Sequence, residues 1–182
     1  MKAAEKNLML AARNQLRLPQ PTGGGYAADQ CDVEFDEMAP ATVGDIYLAV
    51  IPGGWRPGPR HNTSGGVNDL VYSVLVAVVR RIGNVPRDRR RDVFLNNLNT
   101  LDDDIDKVYS ALDWKYEVMN AANALILTDT TSTQGFIEPL RLVGDVGRPR
   151  LVDAEFFGGK EGVAGMMRIL PFGGARRITT KA

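Results

Sequence analysis

The spacing of apolar residues separates predicted helices from predicted strands. Between residues 3 and 18, alanine or leucine recurs every four residues and Pro19 ends the pattern, which predicts a short amphipathic helix. In residues 67–82, valine, leucine and alanine occupy both alternating faces. A segment that is apolar on both faces is typical of a central strand, so this segment is predicted to lie in the middle of a sheet.

A second helical pattern lies in residues 88–126 and contains the main predicted core. Thr100, followed by Asp103, is interpreted as an N-cap inside this region. Burial of the core stripe contributes about 10 kcal/mol before chain entropy is subtracted. The apolar residues of the stripe, which share one helical face, are Leu101, Ile105, Val108, Leu112, Tyr116 and Met119.

Strands are predicted on both sides of this helical region. Residues 31–51 contain an acidic–apolar alternation, which predicts a strand with one buried face, and then the more apolar segment 43–51. Residues 52–66 are rich in glycine and proline and are predicted to form a long loop, a feature that is often functional. The final strands are predicted within residues 136–173, at 136–143, 150–157 and 163–172.

This order of elements predicts an α+β fold in a single domain that spans residues 1–182. Sequential strands with short turns favour a mixed, mainly antiparallel sheet. We expect about six strands in that sheet, with helices packed on one of its faces and with long loops.

Composition and charge narrow the class of protein. The formal net charge is +0, so overall charge does not attract the chain to DNA or to a membrane surface. Cys31 is the only cysteine, which excludes a disulfide within the chain and favours a reducing compartment. No apolar run approaches the length of a membrane span, and the N-terminal residues lack the apolar stretch of a signal peptide. We therefore expect an intracellular protein with no membrane partner.

Few residues offer catalytic or metal-binding chemistry. His61 is the only histidine, and one histidine with one cysteine cannot form a usual zinc site. The acids of residues 102–106 lack EF-hand spacing and are interpreted as the first turn of a helix, where they complement its dipole. The glycines at 23–25 and 158–162 lack the P-loop pattern and are interpreted as turns. We predict no enzymatic activity and no cofactor, with a carboxylate enzyme as a remaining alternative.

Charged residues are strongly segregated along this neutral chain. Residues 29–45 contain six acids and no basic residue, whereas residues 52–91 contain eight arginines and two acids. These arginines can pair with acids of an identical neighbour, contact nucleic-acid phosphates, or pair within the chain. The candidate subunit- or partner-contact residues are Trp55, Arg56, Arg60, Arg80, Arg81, Arg87, Arg89, Arg90, Arg91, Asp32, Glu34 and Asp36.

The order of elements resembles that of phage tail-terminator (neck) proteins. An acidic–apolar strand leads into VGDIYLAVIPGGWRPG, and a long loop precedes the valine-rich strand. The ending EFFGG…GVAGMMRILPFGGAR is similar to the closing β-hairpin of that family. The resemblance spans most of the chain and carries no catalytic residues.

The resemblance implies a mixed sheet flanked by helices and a homo-oligomer, namely a hexameric ring in the virion neck. Such a ring, assembled in the host cytoplasm, caps the tail tube and joins it to the head connector or stopper protein. DNA passes through its lumen without sequence-specific binding. Another neck ring protein, such as a stopper, an adaptor or a head-completion protein, has a similar pattern of elements. A nucleic-acid-binding module that uses the arginine-rich segment is a further alternative.

Overall fold

The structure is a computed structural model that describes residues 4–20, 23–34, 44–58, 67–112, 140–157 and 163–179. The described part of the chain contains two α-helices, α1 (Ala4–Arg17) and α2 (Arg90–Leu112). Its strands are β1 (Pro19–Gln20), β2 (Gly23–Gly24), β3 (Cys31–Val33), β4 (Ile46–Pro57), β5 (Val67–Val85), β6 (Arg141–Leu142), β7 (Arg150–Asp153) and β8 (Val163–Thr179). The predicted α+β class is confirmed.

The main sheet has six strands in the order β3-β4-β5-β8-β6, with β7 also paired to β8. The β3–β4 pair is parallel, and the other pairs of this sheet are antiparallel. The short strands β1 and β2 form a separate antiparallel pair. The prediction of a mixed, mainly antiparallel sheet of about six strands is therefore confirmed.

The core lies on both faces of β5, as the valine-rich pattern predicts. Val74, Val76 and Val78 are buried in a large cluster that also contains residues of α1 and α2. Ala77 and Val79 belong to a second buried cluster, on the opposite face of the strand, which contains no residue of either helix. Both helices thus pack on one face, and β5 is central because β4 and β8 pair with its two edges.

The N-terminal helix is confirmed at nearly its predicted bounds. Leu8, Ala12 and Leu16 are fully buried, as expected for the apolar face of an amphipathic helix. Glu5 lies in the first turn and Arg17 in the last, so both charges complement the helix dipole.

The second helix begins earlier than its proposed N-cap. Arg90 follows a 3-10 turn at Arg87–Arg89, so Thr100 lies inside α2 and its interpretation as the N-cap is wrong. The helix starts earlier because Val93 is buried and continues the apolar face toward the N-terminus. Four residues of the predicted stripe are buried as expected, namely Leu101, Ile105, Val108 and Leu112. The rest of the predicted helical region, residues 113–126 with Tyr116 and Met119, lies outside the described residues.

The predicted loop at 52–66 is wrong in its first part. Strand β4 continues to Pro57, with a shift of register between Pro52 and Trp55. Gly54 has a φ of 79°, which glycine adopts without strain. This shift is a β-bulge, and it allows residues whose sequence resembles a turn to remain part of the strand. A Cβ at Gly53 would lie 2.7 Å from Ser73 Oγ and 2.9 Å from the Ser73 carbonyl oxygen, so only glycine fits there.

The C-terminal strands differ from prediction mainly in length. Strand β7 ends at Asp153, and residues 154–157 form a 3-10 turn instead of continuing the predicted strand. Strand β8 continues past its predicted end to Thr179, because it pairs with β5 in unbroken register from Arg81 down to Val67. Of the predicted strand at 136–143, residues 141–142 form β6, and residues 136–139 lie outside the described residues.

Within the described residues, the sheet narrows to three strands at one end. Strand β3 pairs with β4 only as far as Val50, and β6 pairs with β8 only as far as Gly173. Beyond these points, residues 52–57, 67–73 and 174–179 continue as a three-stranded ladder, which we call the tongue. The tongue contains Trp55 and Arg56, two of the contact residues proposed from the sequence.

Candidate functional site

A buried ion pair joins the sheet to α2. Arg80 of β5 donates from Nε and Nη2 to the carboxylate of Asp104, with Nη2 2.9 Å from Oδ1. Asp104 is only 2% exposed, and the hydrogen bond from Arg80 raises the pKa of that guanidinium. Burial, followed by the charge of Asp104, raises the pKa of the nearby Tyr26 hydroxyl to about 12. Arg80 was proposed as a contact residue, but the structure places it in an internal pair.

A second bridge connects the same helix to β8. Arg168 Nη1 lies 2.6 Å from Asp102 Oδ1, and Arg168 Nε donates to the carbonyl oxygen of Gly147 at 3.0 Å. Asp102 and Asp104 therefore bind the sheet, whereas Asp103 and Asp106 are exposed. The interpretation of the acids of residues 102–106 as the first turn of a helix is wrong, because α2 begins at Arg90.

Two acidic residues of the first strand region, Asp32 and Glu34, also have partners within the chain. Asp32 Oδ1 accepts from Arg13 at 3.3 Å and lies 3.5 Å from Arg17 Nη2. Glu34 accepts a hydrogen bond from the Tyr47 hydroxyl, and burial together with this bond raises the pKa of Tyr47. Asp36 lies outside the described residues. Intramolecular pairing, one of the three alternatives for the segregated charge, thus accounts for Asp32 and Arg80.

The arginines around the start of α2 differ in their environment. Arg90 lies 3.0 Å from Asp153 at the surface, and Arg89 and Arg91 are exposed. Arg81, on β5, is also exposed and interacts with another group of the protein. Arg87 forms part of the 3-10 turn that precedes the helix. Arg60 and the lone His61 lie outside the described residues.

Cys31 is a core residue. It is fully buried, and burial raises the pKa of its thiol to about 12. The reactive form of cysteine is the thiolate, so this thiol stays protonated and inert near neutral pH. The interpretation of Cys31 as a small buried apolar residue is confirmed.

The tongue presents the most exposed aromatic side chain among the described residues. Trp55 is 61% exposed, and its neighbour Arg56 is also exposed. Trp55 lies directly opposite Tyr72, and opposed residues of antiparallel strands share a face, so Trp55 extends the helix-covered face of the sheet. Tyr72 itself is buried in the main core cluster. An apolar surface therefore continues from the core onto Trp55.

The backbone just before Trp55 is held by contacts that no sequence pattern reveals. Glu5 of α1 accepts a hydrogen bond from the Gly54 amide at 2.9 Å. Ser73 Oγ donates to the carbonyl oxygen of Gly53 at 2.8 Å. These bonds join residues 49 and 20 positions apart in the chain, whereas sequence periodicity reports only local neighbours.

Neither described helix is long and apolar enough to cross a membrane. No group of three or more histidine, cysteine, aspartate or glutamate residues in the described ranges is arranged to hold a metal ion. No known protein-family model matches the chain, and no curated protein matches it.

Proposed function

We propose that this chain is a structural subunit that acts by assembly, as a ring protein of a bacteriophage neck. In this proposal a hexameric ring of tail-terminator type caps the tail tube, joins it to the head connector and lets DNA pass without sequence-specific binding. A stopper, adaptor or head-completion ring is the alternative within the same class. Each of these roles requires surfaces that bind copies of the chain or neighbouring rings, and none requires a catalytic centre.

The exposed Trp55 carries this proposal. Tryptophan is strongly enriched among the residues that dominate the binding energy of protein interfaces, because it buries a large area with few rotatable bonds. Its backbone lies on a paired strand, and the Glu5 and Ser73 hydrogen bonds hold the two preceding residues, so little backbone entropy is lost when Trp55 is covered. The adjacent Arg56 adds a cation suited to bidentate contact with a carboxylate.

The ion pairs within the subunit support the same proposal. Asp102 and Asp104 hold α2 against the sheet, and Asp32 holds α1 against β3. These carboxylates stabilise packing between elements, so they are not left as a shared cluster for acid–base chemistry. The exposed residues of the tongue then remain as the best candidates for contacts outside the subunit.

Replacement of Trp55 by alanine is expected to weaken assembly without unfolding the subunit. Loss of an anchoring tryptophan costs about 2 kcal/mol or more at an interface, which weakens each subunit contact about 30-fold. Leu95 is the matched control, because it is 58% exposed but lies on α2. Sedimentation velocity over a concentration series should show Trp55→Ala dissociating at concentrations where the wild type and Leu95→Ala remain assembled. Equal dissociation of both variants, or of neither, would contradict the role of the tongue.

The nucleic-acid alternative rests on fewer cations than the sequence indicates. Arg80 and Arg90 pair with acids of the chain, which leaves Arg89 and Arg91 as exposed arginines near the start of α2. A salt titration of duplex DNA binding distinguishes this alternative, since log K falls with log salt by about 0.9 per neutralised phosphate. We expect no measurable binding at physiological salt. A steep slope that is lost in Arg89→Gln/Arg91→Gln would favour the nucleic-acid module.

A further inference from the structure

The bulge that precedes Trp55 lies in a gap of the strand pairing. The β4–β5 register passes from Pro52 directly to Trp55 and leaves out Gly53 and Gly54. The regular ladder of hydrogen bonds is therefore interrupted at these two glycines. Glycine also has the widest choice of backbone conformations, so two in succession give this part of β4 the greatest conformational freedom. Contacts from outside the ladder are needed to hold the chain where Trp55 begins.

Two side chains from other elements bind this bulge. Glu5 Oε1, in the first turn of α1, accepts a hydrogen bond from the Gly54 amide at 2.9 Å. Ser73 Oγ lies 2.8 Å from the Gly53 carbonyl oxygen and 3.2 Å from the Gly54 carbonyl oxygen. Ser73 belongs to the neighbouring strand β5, so its contacts stay within the sheet. Glu5 instead links the bulge to a helix that packs on a face of the sheet.

The bond from Gly54 to Glu5 has the properties of a strong restraint. Its acceptor is a half-buried carboxylate, and a hydrogen bond to an ionised acceptor is roughly twice as strong as one between neutral groups. A φ of 79° at Gly54 sets the direction in which the chain enters Trp55. The bond stabilises this conformation over the others that glycine adopts freely.

We propose that Glu5 is a positioning residue for the Trp55 contact and couples the first turn of α1 to the assembly of subunits. This inference rests on the proposed function, because it assigns Glu5 a role in the contact that Trp55 makes. Trp55 is 61% exposed, so the backbone at Gly54 decides where the indole is presented. Without the bond to Glu5 fewer subunits hold Trp55 in place, and the apparent affinity of the contact falls by that fraction.

Coupling of this kind acts in both directions. Assembly covers Trp55 and should thereby stabilise the bond between Glu5 and Gly54. Amide hydrogen exchange should then slow at Gly54, and also at Leu8, whose amide donates back to the first turn of α1. In Glu5→Ala, assembly should no longer slow exchange at Leu8.

Glu5 has a second role from which its bond to Gly54 must be separated. An acid in the first turn of a helix also complements the helix dipole, which needs the charge but not the bond. Glu5→Ala removes both, whereas Glu5→Gln keeps an acceptor oxygen and removes only the charge. Exchange of the Gly54 amide, followed by mass spectrometry, should be about tenfold faster in Glu5→Ala and within about threefold of the wild type in Glu5→Gln. Lys6→Ala changes an exposed neighbour in the same turn and should leave this exchange unchanged.

Sedimentation velocity then tests whether Glu5 acts through Trp55. Glu5→Ala should weaken the subunit contact about fivefold when Trp55 is present, and should have no further effect in Trp55→Ala, because coupled residues are not additive. Equal losses in Glu5→Ala and Glu5→Gln, or the same loss with and without Trp55, would overturn the proposal. Both of those outcomes leave the proposed function intact if Trp55→Ala alone dissociates. A wild type that never assembles would overturn the proposed function and the coupling together, even if Gly54 exchanges faster in Glu5→Ala.

Discussion

Replacement of Asp104 by asparagine is expected to lower the free energy of unfolding by about 3 kcal/mol. The substitution removes the charge that compensates Arg80, and a buried pair that loses one partner leaves an uncompensated ion. Arg80 keeps 23% of its side chain exposed, so partial hydration places the loss at the lower end of the range seen for such pairs. Urea unfolding followed by circular dichroism measures the change.

Two further variants test whether loss of the ion pair is what lowers the free energy of unfolding in Asp104→Asn. Asp103→Asn makes the same chemical change at the adjacent exposed residue and should alter stability by less than about 0.5 kcal/mol. The double variant Arg80→Met/Asp104→Leu removes both charges and should recover much of the loss, because an apolar pair of similar volume needs no compensation. A loss below about 1 kcal/mol in Asp104→Asn, with no recovery in the double variant, would show that the pair does not hold α2 to the sheet.

Replacement of Phe172 by alanine is expected to lower the free energy of unfolding by about 3–5 kcal/mol. Phe172 is fully buried and lies between Val74 of β5 and Leu142 of β6 in the sheet register. The cavity left by the ring cannot close easily, because strands on both sides fix the backbone of β8. Loss of this packing should also loosen the tongue, which begins at the following residues.

The control for Phe172 keeps most of the apolar volume. Phe172→Leu should cost less than half as much, since a smaller cavity remains and no polar atom is introduced. Thermal unfolding by calorimetry compares the two variants with the wild type. If alanine and leucine reduced the midpoint equally, the loss would come from the aromatic ring itself and not from the volume that it fills.

The elements that the sequence predicts well are those with a sustained period. Buried residues occur where these patterns predict them: at the alanine and leucine positions of α1, on both faces of β5 and along the stripe from Leu101 to Leu112. Each of these patterns is local, and burial follows directly from which face carries the apolar residues. The class of fold could therefore be predicted from the sequence alone.

The errors come from local signals that tertiary contacts override. The residues PGGWRP resemble a loop because glycine and proline favour turns, yet they form the end of β4 across a bulge. Thr100 and Asp103 match a capping pattern, yet they lie in the interior of α2. Residues 173–179 lack strong strand propensity but are paired by the long partner strand β5.

The candidate site was predicted in part. Trp55 and Arg56 were proposed from the sequence, and the structure places both at the surface of the tongue. Arg80 was proposed on charge alone, and its partner Asp104 could not be predicted because the two residues lie 24 positions apart on different elements. Segregated charge along a chain can become paired charge in space, as it does for Asp32 with Arg13. Contacts between distant elements decide whether a charged residue is paired within the subunit, and such contacts are not readable from sequence.

Native mass spectrometry of the purified chain, alone and mixed with a tail-tube protein, tests the central claim most directly. A subunit has a mass of 19.9 kDa, so assembly should give a closed species at six times that mass, and Trp55→Ala should shift it toward the single subunit. A single subunit at every concentration, also in the presence of the tail-tube protein, would contradict the claim that this protein works by assembly.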